Sequence, residues 1–109
     1  MKIKSSELTR AALDWAVASY ADKHVSLSDI HWGNYSPSTD WAQGGPIIER
    51  EIISVQASYK GYWSARILVN LDEYDEPSVS YGPTPLIAAM RCYVASKFGD
   101  VVDVPDELK

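Results

Sequence analysis

The alternation of apolar and polar positions divides the chain into helices at both ends and strands between them. From Gly82 to Gly99 the spacing predicts a helix with both ends marked. Thr84 suits the N-cap, Pro85 the first helical position, and Gly99 the residue just past the end. At about 100° per residue, Leu86, Ala89, Met90, Tyr93 and Val94 share a face that Ile87 and Phe98 widen. Only Arg91 and Lys97 carry charge, so this helix, at about 84–98, is expected to be mostly covered. A second helix is expected at about 6–21, capped by Ser5 or Ser6, with Glu7 in its first turn. Leu8, Ala11, Ala12, Trp15 and Ser19 lie on one side of it, Leu13 and Val17 on the other. The small alanines would admit a close neighbour, and apolar residues on two sides suit a second layer or a symmetric partner.

Period-two alternation appears in the middle of the chain. Ile53, Val55, Ala57 and Tyr59 alternate with Ser54, Gln56 and Ser58. Trp63, Ala65, Ile67, Val69 and Leu71 alternate on a returning strand, with Lys60-Gly61 as the turn. The expected strands are about 52–59, 62–71 and 78–81, with an acidic loop from Asp72 to Pro77. Lys23 to Asn34 shows no regular period and reads as a connection with room for one turn of helix. In the segment 37–51, Ser36-Pro37 opens a short turn and Gly44-Gly45-Pro46 interrupts, so two short helical pieces or a kinked one are expected. Met1–Lys4 reads as a strand or an extended lead-in. The acidic tail from about residue 100 is expected to be extended, held by Val101, Val102 and Val104, with its last four residues fraying. The fold class is therefore α+β, a single domain over 1–109: a three-stranded antiparallel sheet packed by helices.

Composition narrows the function. The chain has 109 residues, 46% of them hydrophobic and 23% charged, which is globular and not disordered. Four Trp and seven Tyr point to an aromatic core. A net charge of −5, with Lys and Arg scattered, argues against non-specific nucleic-acid binding and against anionic membrane. The single cysteine, Cys92, cannot form an intramolecular disulfide. With no signal peptide recognisable, a reducing cytoplasm is the expected compartment.

Catalytic signals are thin. Asp29, His31 and Asp40, with His24 nearby, match no zinc or EF-hand spacing, so no metal is expected. Cys92, mid-helix among apolar residues, reads as an inert thiol. Glu49, Arg50 and Glu51 read as the solvated face of a short helix, with acid–base work the sharper alternative. Gly44-Gly45-Pro46 lacks the Lys and Ser/Thr of a P-loop and reads as backbone punctuation, with an anion site as its alternative. Arg91 is expected to reach a carboxylate, Asp40 or Glu49, or helix-end carbonyls. The binding candidates are Trp32, Asn34, Tyr35, Trp41 and Gln43, aromatics beside amides on loop-like chain. The competing reading, which the sequence slightly favours, makes Trp32 and Trp41 core plugs under a long loop. Neither a catalytic residue nor a cofactor is expected.

Three stretches together resemble one family: Met1–Thr9 with Ala12–Ala18, Tyr35–Glu51, and Gly82–Asp106. The strings Ser38–Glu51 and Gly82–Lys97 carry most of the likeness, which spans nearly the whole chain. They resemble the NinX-like proteins of lambdoid bacteriophages and prophages. The resemblance implies a phage or prophage origin and expression in the bacterial host cytoplasm. It carries over no catalytic residue. The leading expectation is a small accessory protein that binds an unidentified phage or host protein without catalysis. The alternatives are a small-molecule binder or enzyme with a pocket near Tyr35, Trp41 and Gly45, and a self-associating homodimer.

Overall fold

The computed structural model of the protein describes residues 1–67 and 79–108. The expected acidic loop and the end of the returning strand, with Val69 and Leu71, lie outside the described residues. The elements run β1 (Lys2–Lys4), a 3-10 turn (Ser5–Glu7), α1 (Arg10–Ala21), α2 (Leu27–His31), α3 (Trp41–Glu51), β2 (Ile53–Ala57), β3 (Trp63–Ile67), β4 (Ser80–Gly82), α4 (Pro85–Phe98), β5 (Val101–Asp103) and a 3-10 turn (Asp106–Leu108). β2, β3 and β4 form an antiparallel sheet in that order, and β1 pairs antiparallel with β5 in a second, two-stranded sheet. The fold is α+β.

The C-terminal helix is built as its sequence prescribes. The Thr84 hydroxyl accepts the Ile87 N–H at 3.1 Å, Pro85 opens the helix, and Gly99 ends it at φ 83°. Leu86, Ala88, Ala89, Met90, Cys92, Tyr93 and Val94 are all buried. No single stripe contains them, because α4 touches all three strands of the larger sheet, α1 and α3. Ala12, Leu13, Ala16 and Val17 of α1 join Ala88, Ala89, Met90 and Tyr93 of α4 in one hydrophobic cluster. The alanines on both helices permit the approach, and Leu13 and Val17 on the other flank of α1 are fully buried within the chain.

β2 and β3 meet in the register Ile53↔Ile67, Val55↔Ala65 and Ala57↔Trp63. Their turn places Lys60 at φ 55° and Gly61 at φ 81°, the left-handed pair favoured in tight hairpins, closed by the Tyr62 N–H on the Tyr59 carbonyl at 3.3 Å. β3 continues the register onto β4, with Trp63 opposite Gly82.

Local structure departs from the sequence expectation in three places. The first long helix starts at Arg10, not near Ser6. Ser5 is occupied elsewhere: its N–H donates to the Asp100 carbonyl at 2.8 Å and its hydroxyl to the Gly99 carbonyl. That anchors residues 5–7 to the end of α4 as a 3-10 turn. Second, α3 is one continuous helix through Gly44-Gly45-Pro46. Pro46 removes a single ladder bond, and Asp40 caps the start by accepting the Ala42 N–H at 3.0 Å. Third, residues 106–108 form a 3-10 turn against the body instead of fraying. Val102 and Val104 are buried against the body, Leu108 is 8% exposed, and the Met1 ammonium bonds the Val104 carbonyl at 2.9 Å.

The two glycines of α3 differ sharply. A Cβ on Gly44 would strike the Pro37 carbonyl and come within 2.7 Å of Leu86 Cδ2, whereas one on Gly45 would meet nothing within 4 Å. Urea unfolding should therefore separate them. Gly44→Ala is expected to cost about 2 kcal/mol or more by overpacking, and Gly45→Ala to stabilise by about 0.5–1 kcal/mol through helix propensity.

Candidate functional site

The binding candidates of the sequence fall on a segment whose backbone is tied at several points. α2 opens with a capping box. The Ser26 N–H and hydroxyl donate to Asp29 Oδ2 at 3.1 and 3.0 Å, and the Asp29 N–H donates to Ser26 Oγ at 3.1 Å. The bonds from Ser26 hold the Asp29 carboxyl below its ordinary range. Past α2 the chain folds back on itself. The N–H groups of Asn34 and Tyr35 both donate to the Asp29 carbonyl, at 2.8 and 3.3 Å. Thr39 and Asp40 donate to the Ser36 carbonyl at 3.0 and 2.8 Å, closing the turn that leads into α3.

Gln43 joins this loop to the first turn of α3. Its Oε1 accepts the Ser36 N–H at 2.5 Å, and its Nε2 donates to the Asn34 carbonyl at 3.0 Å. The amide thus holds the loop backbone. Asp40 acts as the helix cap, and buried Gly44 lets the loop carbonyl of Pro37 approach α3.

From below, the loop is held by a residue the sequence analysis did not single out. Asp14, 5% exposed on α1, accepts the Ser38 N–H at 3.0 Å. Burial raises the Asp14 carboxyl above its ordinary range, and the contacts with Ser38 oppose that shift. Ser38 is itself buried, and its hydroxyl has no hydrogen-bond partner among the described residues. Half-buried Tyr35 stands nearby. Burial, aided by the charges of Asp22 and Asp14, pushes its hydroxyl up to about 12. A signal for Asp14 existed, a carboxylate set between Leu13 and Trp15 in an apolar helix. What covers it lies 24 residues away.

Both tryptophans of the segment face solvent. Trp32 is 74% exposed and Trp41 57%, so neither plugs the core. Trp32 meets the His31 ring edge-on, with centroids 5.0 Å apart. Trp41 occupies the first position of α3.

The other candidates lie apart. Glu49 is exposed on α3, where Arg50 pairs with Glu51 at 3.1 Å and Lys97 reaches Glu51 at 3.8 Å. Arg91 meets neither Asp40 nor Glu49. Its Nε donates to the Leu8 carbonyl and its Nη1 to the Tyr81 carbonyl, both at 2.8 Å. These carbonyls end the first 3-10 turn and run along β4, so Arg91 ties the N-terminal segment to the sheet through α4. Cys92 is buried, and burial pushes its thiol up to about 11, far from a reactive thiolate at neutral pH. Among the described residues no group of three or more His, Cys, Asp or Glu is placed to hold a metal, and no helix is long and apolar enough to cross a membrane.

Concavities formed by described residues include one of about 480 Å³ lined by Ile3, Glu7, Leu8, Arg10 and Ala12, and one of about 390 Å³ between Ser5, Ser80 and Val101. Neither is lined by Tyr35, Trp41 or Gly45.

The fold and the segment define a small α+β protein with a buried C-terminal helix and a side-chain-tied loop that holds aromatics outward. Residues 4–97 match the sequence profile of the family described as Bacteriophage P22, NinX, and the chain belongs to that family of phage proteins. No curated protein matches the sequence.

Two measurements test the loop's supports. Gln43→Ala removes both bonds to the loop backbone and is expected to cost about 1–3 kcal/mol in urea unfolding. Asp14 gives a pH signature. Its folded pKa lies above the unfolded value, so ionisation opposes folding. Its contribution is most favourable below the unfolded pKa and is lost as pH rises through the folded one. Asp14→Asn keeps an acceptor for the Ser38 N–H without a charge. The stability of the parent protein relative to Asp14→Asn should therefore fall from about pH 4 to pH 7, read from unfolding curves at several pH values.

Proposed function

We propose that the protein is a non-catalytic protein-binding module, acting in the bacterial host cytoplasm on a phage or host protein, with its contact surface centred on Trp32 and Trp41. The observation that carries this reading is the exposure of both tryptophans on a backbone tied by the capping box of α2, the Gln43 amide and Asp14. Tryptophan is highly buried on average, and exposed tryptophan is enriched among residues that dominate protein interfaces. Exposed by 74% and 57%, the two rings each offer on the order of 100–180 Å² to cover. At roughly 25 cal/mol per Å², covering each supplies several kcal/mol toward association. A pre-tied loop loses less conformational freedom on binding than a free one, so more of that gain appears as affinity.

The experiment is capture from lysates of phage-infected and uninfected cells, with the parent protein and the double variant Trp32→Ala/Trp41→Ala. The expected result is a defined partner retained by the parent protein and reduced by about tenfold or more in the variant, since hot-spot truncations cost at least about 1–2 kcal/mol each. The variant's unfolding midpoint should barely move, because exposed substitutions change stability by about 0.5 kcal/mol or less. A partner captured equally by both proteins overturns the reading. So does a variant that loses the fold, which would make the rings structural.

A further inference from the structure

β2 is an outer strand of the larger sheet. Among the described residues nothing pairs with its free side. The direction of its backbone groups follows from the hairpin. The Ser58 N–H donates to the Tyr62 carbonyl at 2.8 Å, one step beyond the pair Ala57↔Trp63. Hydrogen-bonded and non-hydrogen-bonded pairs alternate along an antiparallel ladder. Gln56 and Ser54 therefore turn their backbone groups toward β3, and Ile53, Val55 and Ala57 turn theirs outward. Natural edges are usually blunted by a charge, a proline or a bulge. Ile53-Ser54-Val55-Gln56-Ala57 has neither charge nor proline, and its register with β3 is unbroken. Two large exposed side chains flank it, Ile52 at 63% and Tyr59 at 75%.

We propose that β2 pairs antiparallel with β2 of a second copy of the chain, about a two-fold axis at Val55, joining the two sheets edge to edge. The strand is self-complementary in that register. Val55 faces its own equivalent, Ile53 faces Ala57, and Ser54 faces Gln56, so apolar residues meet on the helix side and polar ones on the open side. The residues with outward backbone groups, Ile53, Val55 and Ala57, are the ones brought opposite each other, as hydrogen-bonded pairs require. Ile52 of each copy falls opposite Ser58 of the other, beside its exposed Tyr59. Charge favours this edge as well. Two copies of a chain with net charge −5 repel over much of their surface, and β2 adds no charge to the contact.

The test is sedimentation equilibrium of three proteins, up to about 1 mM, the range in which small interfaces associate. In Ser54→Glu/Gln56→Glu, carboxylates oppose carboxylates across the axis twice. In Ser54→Glu/Gln56→Lys, each carboxylate opposes an ammonium. Position 54 pairs with Arg66 within the chain, so its carboxylate is compatible with the monomer in both variants. The expected result is a dimer for the parent protein, weakened by about tenfold or more with like charges and recovered to within about threefold with opposite ones. Amide exchange at Ile53, Val55 and Ala57 should slow as parent protein concentration rises. A parent protein that is monomeric throughout overturns the proposal. Equal dimerisation of all three proteins, failure of the opposite-charge variant to recover, or edge amides that stay fast in the dimer do so equally.

Discussion

The burial of α4 on nearly all sides sets the terms for everything around it. A helix with Leu86, Ala88, Met90, Cys92 and Val94 all covered cannot be satisfied by a single neighbour. The sheet covers one side, α1 another, and α3 and the chain ends fill the remainder. Small residues make this possible. Gly82 lies so close to α4 that a Cβ there would come within 2.7 Å of the Ala88 nitrogen. The one charge deep on the helix, Arg91, reaches two backbone carbonyls that belong to different parts of the fold. Burial lowers its pKa, yet it remains a cation with two good acceptors. A charge at that position thus fastens the N-terminal segment and β4 to the helix that covers both.

The aromatic segment depends on the same framework at one remove. α1 is fixed against α4, and Asp14 projects from α1 to take the Ser38 N–H. Gln43 then fixes the loop to α3, and Gly44 lets α3 lie against the loop and Leu86. Asp14 and Gln43 act as polar side chains bonded to backbone. Such bonds contribute about 1 kcal/mol apiece, but they dictate direction as hydrophobic contact does not. Direction is what the segment needs. With its backbone consumed by these partners, the loop has little freedom to turn Trp32 and Trp41 inward, and their rings stay in water.

How much of this was legible depended on the distance over which each feature is decided. The ends of α4 were readable because Thr84, Pro85 and Gly99 act within one turn. The hairpin was readable because Lys60-Gly61 and the flanking alternation are local. The continuity of α3 was not, because a proline's cost in a helix is weighed against packing elsewhere. The start of α1 moved for a similar reason: Ser5 has the chemistry of an N-cap, but Gly99 and Asp100 supply partners from the opposite end of the chain. The Gln43 amide, a binding candidate in the sequence, bonds its own loop, a role that only the fold makes visible.

The sequence by itself determined the class of fold, the period and main boundaries of the helices and strands, and, through two long strings of residues, the phage family. These rest on short-range sterics, on capping, and on apolar spacing, which any stretch of the chain carries with it. Tertiary structure alone decided which polar residues face inward and which aromatics face outward. Asp14 is buried and Trp32 exposed, the reverse of what their chemistry favours in isolation. Burial belongs to the assembled surface, and a side chain's exposure is fixed by whatever distant segment comes to lie over it.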